Sequence, residues 1–110
     1  MRDDLVYLQH SADAIADIEK YTAGGKQDFF DKKIIQDAVI RNLEIIGEAV
    51  KNISPAIRIK YTEVPWKQIA GLRDILIHQY FGVDPETVWL VVKKRLPVLA
   101  ERIHFLLTHE

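Results

Sequence analysis

Hydrophobic residues recur at steps of three and four along most of the chain, which is the spacing of amphipathic helices. The first apolar stripe consists of Leu5, Leu8, Ala12, Ile15 and Ile18. Asp3 or Asp4 can cap the start of this helix. Gly24-Gly25 is predicted to end it, because glycine adopts the left-handed conformation that helix ends favour.

A second helix is predicted to begin near Asp28 or Asp31. Its stripe consists of Ile35, Val39, Ile46, Ala49 and Ile53, with Asn42 in register among them. Ser54-Pro55 should end this helix, because the residue before a proline is disfavoured in helical geometry. Residues 55–61 can then form one further helical turn.

The last two helices have clearer start signals. Pro65 suits the first position of a third helix that continues to Gly82. Asp84-Pro85 combines an acceptor side chain with a proline already set to helical φ, and so predicts the start of a fourth. The stripe of this helix consists of Val88, Val92, Leu96, Leu99, Ile103 and Leu106. Pro97 should kink this helix without ending it, because the stripe continues on both sides.

No segment alternates with a period of two, so the predicted fold class is all-α. Helices of this length cannot bury their apolar stripes alone. We therefore predict an up-down bundle of four main helices, with one extra short helix, forming a single domain over residues 1–110. A helix face left over from such a small bundle could serve self-association.

Composition excludes several classes of function. The 110 residues are 48 % hydrophobic and 28 % charged, which is ordinary for a folded soluble protein. No apolar run approaches the length of a membrane span, no signal segment opens the chain, and there is no cysteine, so a cytoplasmic protein is expected. The net charge of −1 means that nucleic-acid binding would need a local basic patch. His10, His104 and His109 lack metal-ligand spacing, and neither a metal nor a cofactor is predicted.

The candidate chemistry lies in "GLRDILIHQY", residues 71–80, which contains Arg73, Asp74, His78 and Tyr80. In a helix Arg73 and His78 point about 140° apart, whereas Asp74 and His78 share a face. The composition suits metal-free cleavage of a phosphodiester, in which histidine moves protons and arginine stabilises charge at phosphorus. Each residue also has a structural interpretation: a histidine near a helix end, a solvated arginine and a packed tyrosine are all common.

Two other features allow alternatives. Asn42 lies on an apolar stripe and is either a buried amide with its hydrogen bonds satisfied or a group that supports the motif. The basic run "KKR" at 93–95 is either a solvated face or one that contacts RNA or a partner.

The segment "LRDILIHQYFGVDPETVW" resembles the signature of the HEPN superfamily, an arginine followed after four to six residues by a histidine. The form Arg73, four residues, His78, one residue, Tyr80 is similar to the HepT branch. "RNLEIIGEAVKNIS", "VPWKQIAGLRD" and "DPETVWLVVKKRLPVLAERI" resemble the same branch, in the same order. The resemblance covers essentially the whole chain.

This resemblance implies a HEPN-like helical fold that dimerises, so that two copies of the motif face one cleft. It also implies a metal-independent ribonuclease that acts as the toxin of a type VII toxin–antitoxin pair. The partner would be a minimal nucleotidyltransferase antitoxin that transfers AMP to Tyr80. Arg73 would contact the scissile phosphate and His78 would transfer protons, while Asp74 could orient the histidine.

A second hypothesis is a catalytically silent helical module that binds the nucleotidyltransferase or a nucleotide. The presence of both Arg73 and His78 favours the ribonuclease, and the slightly acidic charge favours the module. A structural helical dimer without activity is a third alternative.

Overall fold

The computed structural model describes residues 2–71 and 84–109. Its elements are α1 (Arg2–Tyr21), α2 (Lys26–Asp31), α3 (Lys33–Lys51), α4 (Pro55–Lys60), α5 (described over 66–71), α6 (Pro85–Leu90), a π-helical turn (Val91–Arg95) and α7 (Leu96–His109). No strand occurs in these two ranges, and the predicted all-α class is confirmed. None of the helices described there is both long and apolar enough to cross a bilayer.

The core lies where α1, α3 and α7 meet, because α1 packs against both of the other helices. The predicted stripes supply most of its buried residues: Leu8, Ile15, Ile18, Val39, Ile46, Ala49, Ile53, Val88, Val92, Leu96, Leu99, Ile103 and Leu106. Leu5, Ala12 and Ile35 are partly buried against the same cluster. The apolar periodicity therefore predicted the buried face of each of these helices correctly.

The start of the second helix differs from the prediction. Asp28 belongs to the separate short helix α2, and α3 begins only at Lys33. Between them Lys32 is extended, with φ −118° and ψ 105°. The Gln36 side-chain amide donates to the carbonyl oxygens of Phe29 and Phe30, at 3.0 and 3.2 Å. These bonds satisfy carbonyls at the end of α2, which helps to explain why the chain breaks there.

Asp4, Ser54 and Arg58 form a polar junction that we call the α3–α4 corner. Asp4 was predicted as a possible cap of α1, but its carboxylate accepts hydrogen bonds from the Ser54 N–H and hydroxyl, both at 2.7 Å. These bonds place the start of α1 beside the end of α3, so the two helices run antiparallel. The helical turn predicted at 55–61 is confirmed as α4, with Pro55 in its first turn.

Arg58 completes the same corner. Its guanidinium donates to the carbonyl oxygens of Val50, Lys51 and Ile53, at 2.7, 3.0 and 3.1 Å. The last carbonyls of an α-helix have no partner within the helix. Arg58 therefore caps the carboxyl end of α3 from the next helix along the chain.

The C-terminal helices follow the predicted signals, with one change in winding. Asp84 caps α6, since its Oδ1 accepts from the Glu86 N–H at 3.1 Å. At the π-helical turn the Leu96 N–H bonds to the Val91 carbonyl, five residues back. Pro97 follows as the second residue of α7, directly after the π-helical turn. The helical path thus continues through Pro97, as predicted, and the change in winding comes just before it.

Candidate functional site

The predicted catalytic residues Arg73 and His78 lie outside the described residues, as do the predicted supporting residue Asp74 and the predicted modification site Tyr80. What the structure describes is the two ends to which that segment is joined. These are α5, which leads to Gly71, and Asp84, which caps α6. The roles of the four residues stay predictions.

The helix α5, which leads into residues 72–83, is anchored in the core. Trp66, in the first turn of α5, is buried, and its indole N–H donates to the Tyr61 carbonyl at 2.9 Å. Ile69, one turn later, is also buried. The tryptophan therefore fixes the start of α5 with both its apolar ring and its polar edge.

The helix α6, which follows residues 72–83, is anchored to α2. The Trp89 ring of α6 lies 5.2 Å from the Phe29 ring, and Lys26 Nζ lies 3.3 Å from Glu86 Oε1. Lys93 Nζ lies 4.8 Å from the centroid of the Trp89 ring, within cation–π distance. Both tryptophans are thus buried anchors, one before and one after the motif segment in the sequence.

Asn42 is the one predicted site residue that the structure describes. It is 8 % exposed on α3, and its Nδ2 donates to the Ala38 carbonyl at 2.9 Å. This bond satisfies a buried donor within the helix, as one of the two interpretations of Asn42 requires. A supporting contact with the motif would involve residues 72–83 and stays a prediction.

Two histidines of the described ranges pack against different aromatic rings. The His109 ring stacks on Phe105 with centroids 3.9 Å apart, and the His10 ring meets the edge of Tyr7 at 6.3 Å. Within residues 2–71 and 84–109 no three His, Asp or Glu side chains are grouped so that they could hold a metal ion.

A cleft of about 240 Å³ lies between the start of α5 and the C-terminal helices. Its floor is formed by buried or partly buried apolar residues: Val64, Ile69, Val91, Leu96 and Leu99. Its rim carries Lys94, Arg95, Arg102 and Glu63. We call this feature, floor and rim together, the basic cleft. The "KKR" run signalled part of the rim, but its position beside Arg102 and the α5 floor depends on the fold.

A second groove, between α1 and α3, is more nearly balanced in charge. It measures about 430 Å³ and is lined by Tyr7, His10, Arg41, Glu44, Ile45, Glu48, Ala49 and Asn52. Arg41 Nη1 lies 3.5 Å from Glu44 Oε2, and Glu48 adds a second carboxylate. This groove therefore lacks the positive excess that distinguishes the basic cleft.

Comparison with known proteins identifies the family. The family model for "Ribonuclease HepT-like" matches residues 12–106. A Thermococcus cleftensis protein named "Probable ribonuclease HepT" is 48 % identical over 94 residues, covering 84 % of this chain and 86 % of that protein. A "Putative RNase" of Caldanaerobacter subterraneus is 43 % identical over 93 residues, covering 84 % and 83 %.

A third relative is longer. The Methanocaldococcus jannaschii protein named "Gamma-glutamylcyclotransferase and putative RNase" is 52 % identical over 105 residues. The match covers 94 % of this chain but only 47 % of that protein, so the chain spans about half of its length. No solved structure matches the chain.

The family match covers most of the chain and includes the whole of residues 71–80. It agrees with the resemblance drawn from the motif and confirms the predicted enzyme class, a nuclease that acts on RNA. The chain belongs to the HepT-like ribonuclease family.

Proposed function

We propose that this protein is the toxin of a toxin–antitoxin pair, a metal-independent endoribonuclease with its active site at Arg73 and His78. The observation that carries the proposal is the sequence Arg73, four residues, His78, one residue, Tyr80 within the family match. Membership of a ribonuclease family supports cleavage over the catalytically silent module, since silent binding requires neither a proton-transfer group nor a phosphate-binding cation.

The proposed chemistry is an internal transesterification. His78 accepts the proton of the ribose 2′-hydroxyl while the 2′-oxygen attacks the adjacent phosphorus. The bond from phosphorus to the 5′-oxygen breaks, and that oxygen takes up a proton as it leaves. Arg73 stabilises the negative charge on the phosphoryl oxygens during the attack. The products are a 2′,3′-cyclic phosphate and a 5′-hydroxyl.

A homodimer would compensate for the spacing of the motif. A five-residue step along an ideal α-helix turns the side-chain direction by about 140°, which would be poor convergence of Arg73 and His78 within one chain. Two copies of the motif facing one cleft would supply two arginines and two histidines, one histidine to take the proton and one to return it. The pair would also create a positive site that the net charge of −1 conceals.

The proposed antitoxin is a minimal nucleotidyltransferase that transfers AMP to Tyr80, in the cytoplasm. The added phosphate would repel RNA and could pair with the arginine on which RNA binding depends. Asp74 is proposed to orient His78, and Asn42 to support the segment from α3. Both are positioning roles.

Induced expression in a bacterial host tests the toxin assignment. Native protein should arrest growth, His78→Ala should not, and His104→Ala, a change of an exposed histidine on α7, should arrest growth like the native protein. Coexpression with the cognate nucleotidyltransferase should restore growth and add the mass of one AMP to native protein but not to Tyr80→Phe. Growth arrest by His78→Ala would contradict the catalytic assignment, and restored growth without added mass would contradict AMP transfer.

A further inference from the structure

The basic cleft concentrates positive charge on one surface of a chain whose overall charge is nearly neutral. Its rim carries three cations and one carboxylate, whereas the whole chain has a net charge of −1. Sequences without a strongly basic composition can still bind nucleic acid through such a local patch. The rim of the cleft is a local excess of positive charge that the composition alone could not reveal.

The rim cations are open to solvent. The Arg102 and Glu63 side chains are 47 % and 43 % exposed, and their closest charged atoms are 4.0 Å apart, the outer limit of an ion pair. Lys94 and Arg95 are exposed, and no carboxylate of the described ranges pairs with either. These cations can therefore bind an anionic ligand without breaking a strong internal contact.

The cations alternate with exposed apolar groups along one face of the C-terminal helix. We call this face the strip, and it consists of Arg95, Val98, Arg102, Phe105 and His109. The steps of three and four residues keep these side chains on one side of a helix. Val98 and Phe105 are 56 % and 43 % exposed, and the Phe105 ring stacks on His109. From Arg95 to His109 the strip extends about 21 Å at helical rise.

The π-helical turn lies at the end of the strip beside the cleft. It spans Val91–Arg95 and so contains both Lys94 and Arg95. Turns of this kind are rare and occur frequently at functional sites. The cleft is therefore lined in part by a backbone feature that is common at functional sites.

Three kinds of ligand could bind the basic cleft and the strip: a second copy of this chain, a segment of another protein, or RNA. A second copy docked through a two-fold axis near Arg102 would bring that arginine against the same arginine of its partner, which is unfavourable. A protein segment would need an acidic and apolar surface of its own to match the cleft. RNA has phosphates for the cations and flat bases for the apolar surfaces, and it is the ligand that the family supports.

We propose that the basic cleft and the strip form an RNA-binding track made of residues other than those of the Arg73–His78 motif. An unpaired base enters the cleft, and Arg95 and Arg102 bind the phosphates on either side of it. The cleft volume of about 240 Å³ is smaller than the range of about 300–1,000 Å³ for pockets that hold drug-sized ligands. The cleft therefore suits a smaller group, such as the ring system of one base. Phe105 offers a stacking surface further along the strip. This inference rests on the proposed ribonuclease function and adds how the substrate is held.

The test is fluorescence anisotropy with a labelled, unstructured 20-nucleotide 2′-O-methyl RNA, which lacks the attacking hydroxyl and stays intact. Arg95→Gln/Arg102→Gln should weaken affinity about tenfold at 0.1 M salt and reduce the slope of log K against log salt by about 1.4, near 0.7 for each lost phosphate contact. Lys20→Gln/Lys51→Gln is the matched control, because it removes two exposed cations that do not line the cleft. The control should bind like the native protein.

RNA cleavage assays and sedimentation of the same proteins distinguish failure of the track from failure of the ribonuclease assignment. Equal RNA affinity of both double variants, with native protein still cleaving unmodified RNA, would overturn the track and leave the ribonuclease intact. Neither binding nor cleavage by native protein would overturn both. If the arginine variant changed the sedimentation coefficient but not RNA affinity, the surface would be a contact between copies and the track would be wrong.

Discussion

The α3–α4 corner and the basic cleft both depend on charged side chains, but they use them in opposite ways. At the corner Arg58 donates to three main-chain carbonyls and Asp4 accepts two hydrogen bonds from Ser54. At the cleft Arg95 and Arg102 lie exposed beside an apolar floor. Charges satisfied within the protein hold helices together, whereas charges left in solvent remain available to a ligand.

The two regions should therefore differ in energy as well as in geometry. A buried hydrogen bond to a charged group contributes about 1.5–3 kcal/mol, and removing one partner leaves the other unsatisfied. An exposed ion pair such as Arg102–Glu63 contributes about 0–1 kcal/mol. Changes at the corner should lower the free energy of unfolding and leave RNA affinity unchanged, and changes at the cleft should do the reverse.

The largest effect on stability is expected from Asp4→Ala. Asp4 is 4 % exposed, and its loss leaves the Ser54 N–H and hydroxyl without their acceptor. The free energy of unfolding should fall by about 2–3 kcal/mol, measured by urea denaturation. RNA affinity well below the melting temperature should not change. Asp4→Asn, which keeps a hydrogen-bonding side chain of the same shape, should lose less, and equal stability of Asp4→Ala and native protein would refute the role of the corner.

Arg58→Met should have the next largest effect. Methionine keeps much of the aliphatic packing of arginine but cannot donate to the three carbonyls at the end of α3. We expect a loss of about 1–2 kcal/mol in thermal or urea unfolding. Arg41→Met is the comparison, since Arg41 is exposed and forms an i,i+3 pair with Glu44, and it should change stability by less than about 0.5 kcal/mol. Similar losses in the two variants would remove the distinction between a capping and a surface arginine.

The smallest effect on stability is expected at the rim of the basic cleft, where RNA affinity should change instead. Glu63→Gln removes the one carboxylate of the rim and should strengthen RNA binding at low salt, whereas Arg102→Gln should weaken it. Each should change the free energy of unfolding by less than about 0.5 kcal/mol. Opposite shifts in anisotropy titrations would support the track, and shifts in the same direction would contradict it.

The sequence predicted those features that depend on neighbouring residues. Asp84-Pro85 marks a helix start because the cap and the proline act within one turn, and the capping bond is present. The stripe that includes Val92, Leu99 and Leu106 repeats at a fixed period, so its buried face could be read directly. Local patterns of this kind explain why most of the fold was predictable.

Other features depend on contacts between distant residues. Asp4 and Ser54 are 50 positions apart, and nothing near Asp4 indicated that its carboxylate would serve the corner instead of its own helix. The basic cleft likewise combines the start of α5 with the π-helical turn and α7, so only the "KKR" part of it was visible in the sequence. The motif residues Arg73 and His78 were found through spacing and family resemblance, and their arrangement is still a prediction.

Arg73 and His78 are proposed to cleave RNA without a metal ion. The most direct test of this proposal is cleavage of a defined RNA in EDTA by purified protein, with Tyr80 shown by intact mass to be unmodified, beside His78→Ala. Native protein should yield fragments with 2′,3′-cyclic phosphate ends, and the rate of cleavage by His78→Ala should be lower by about 10²–10⁴-fold. Undiminished cleavage by His78→Ala, or no cleavage by the unmodified native protein, would contradict the proposal.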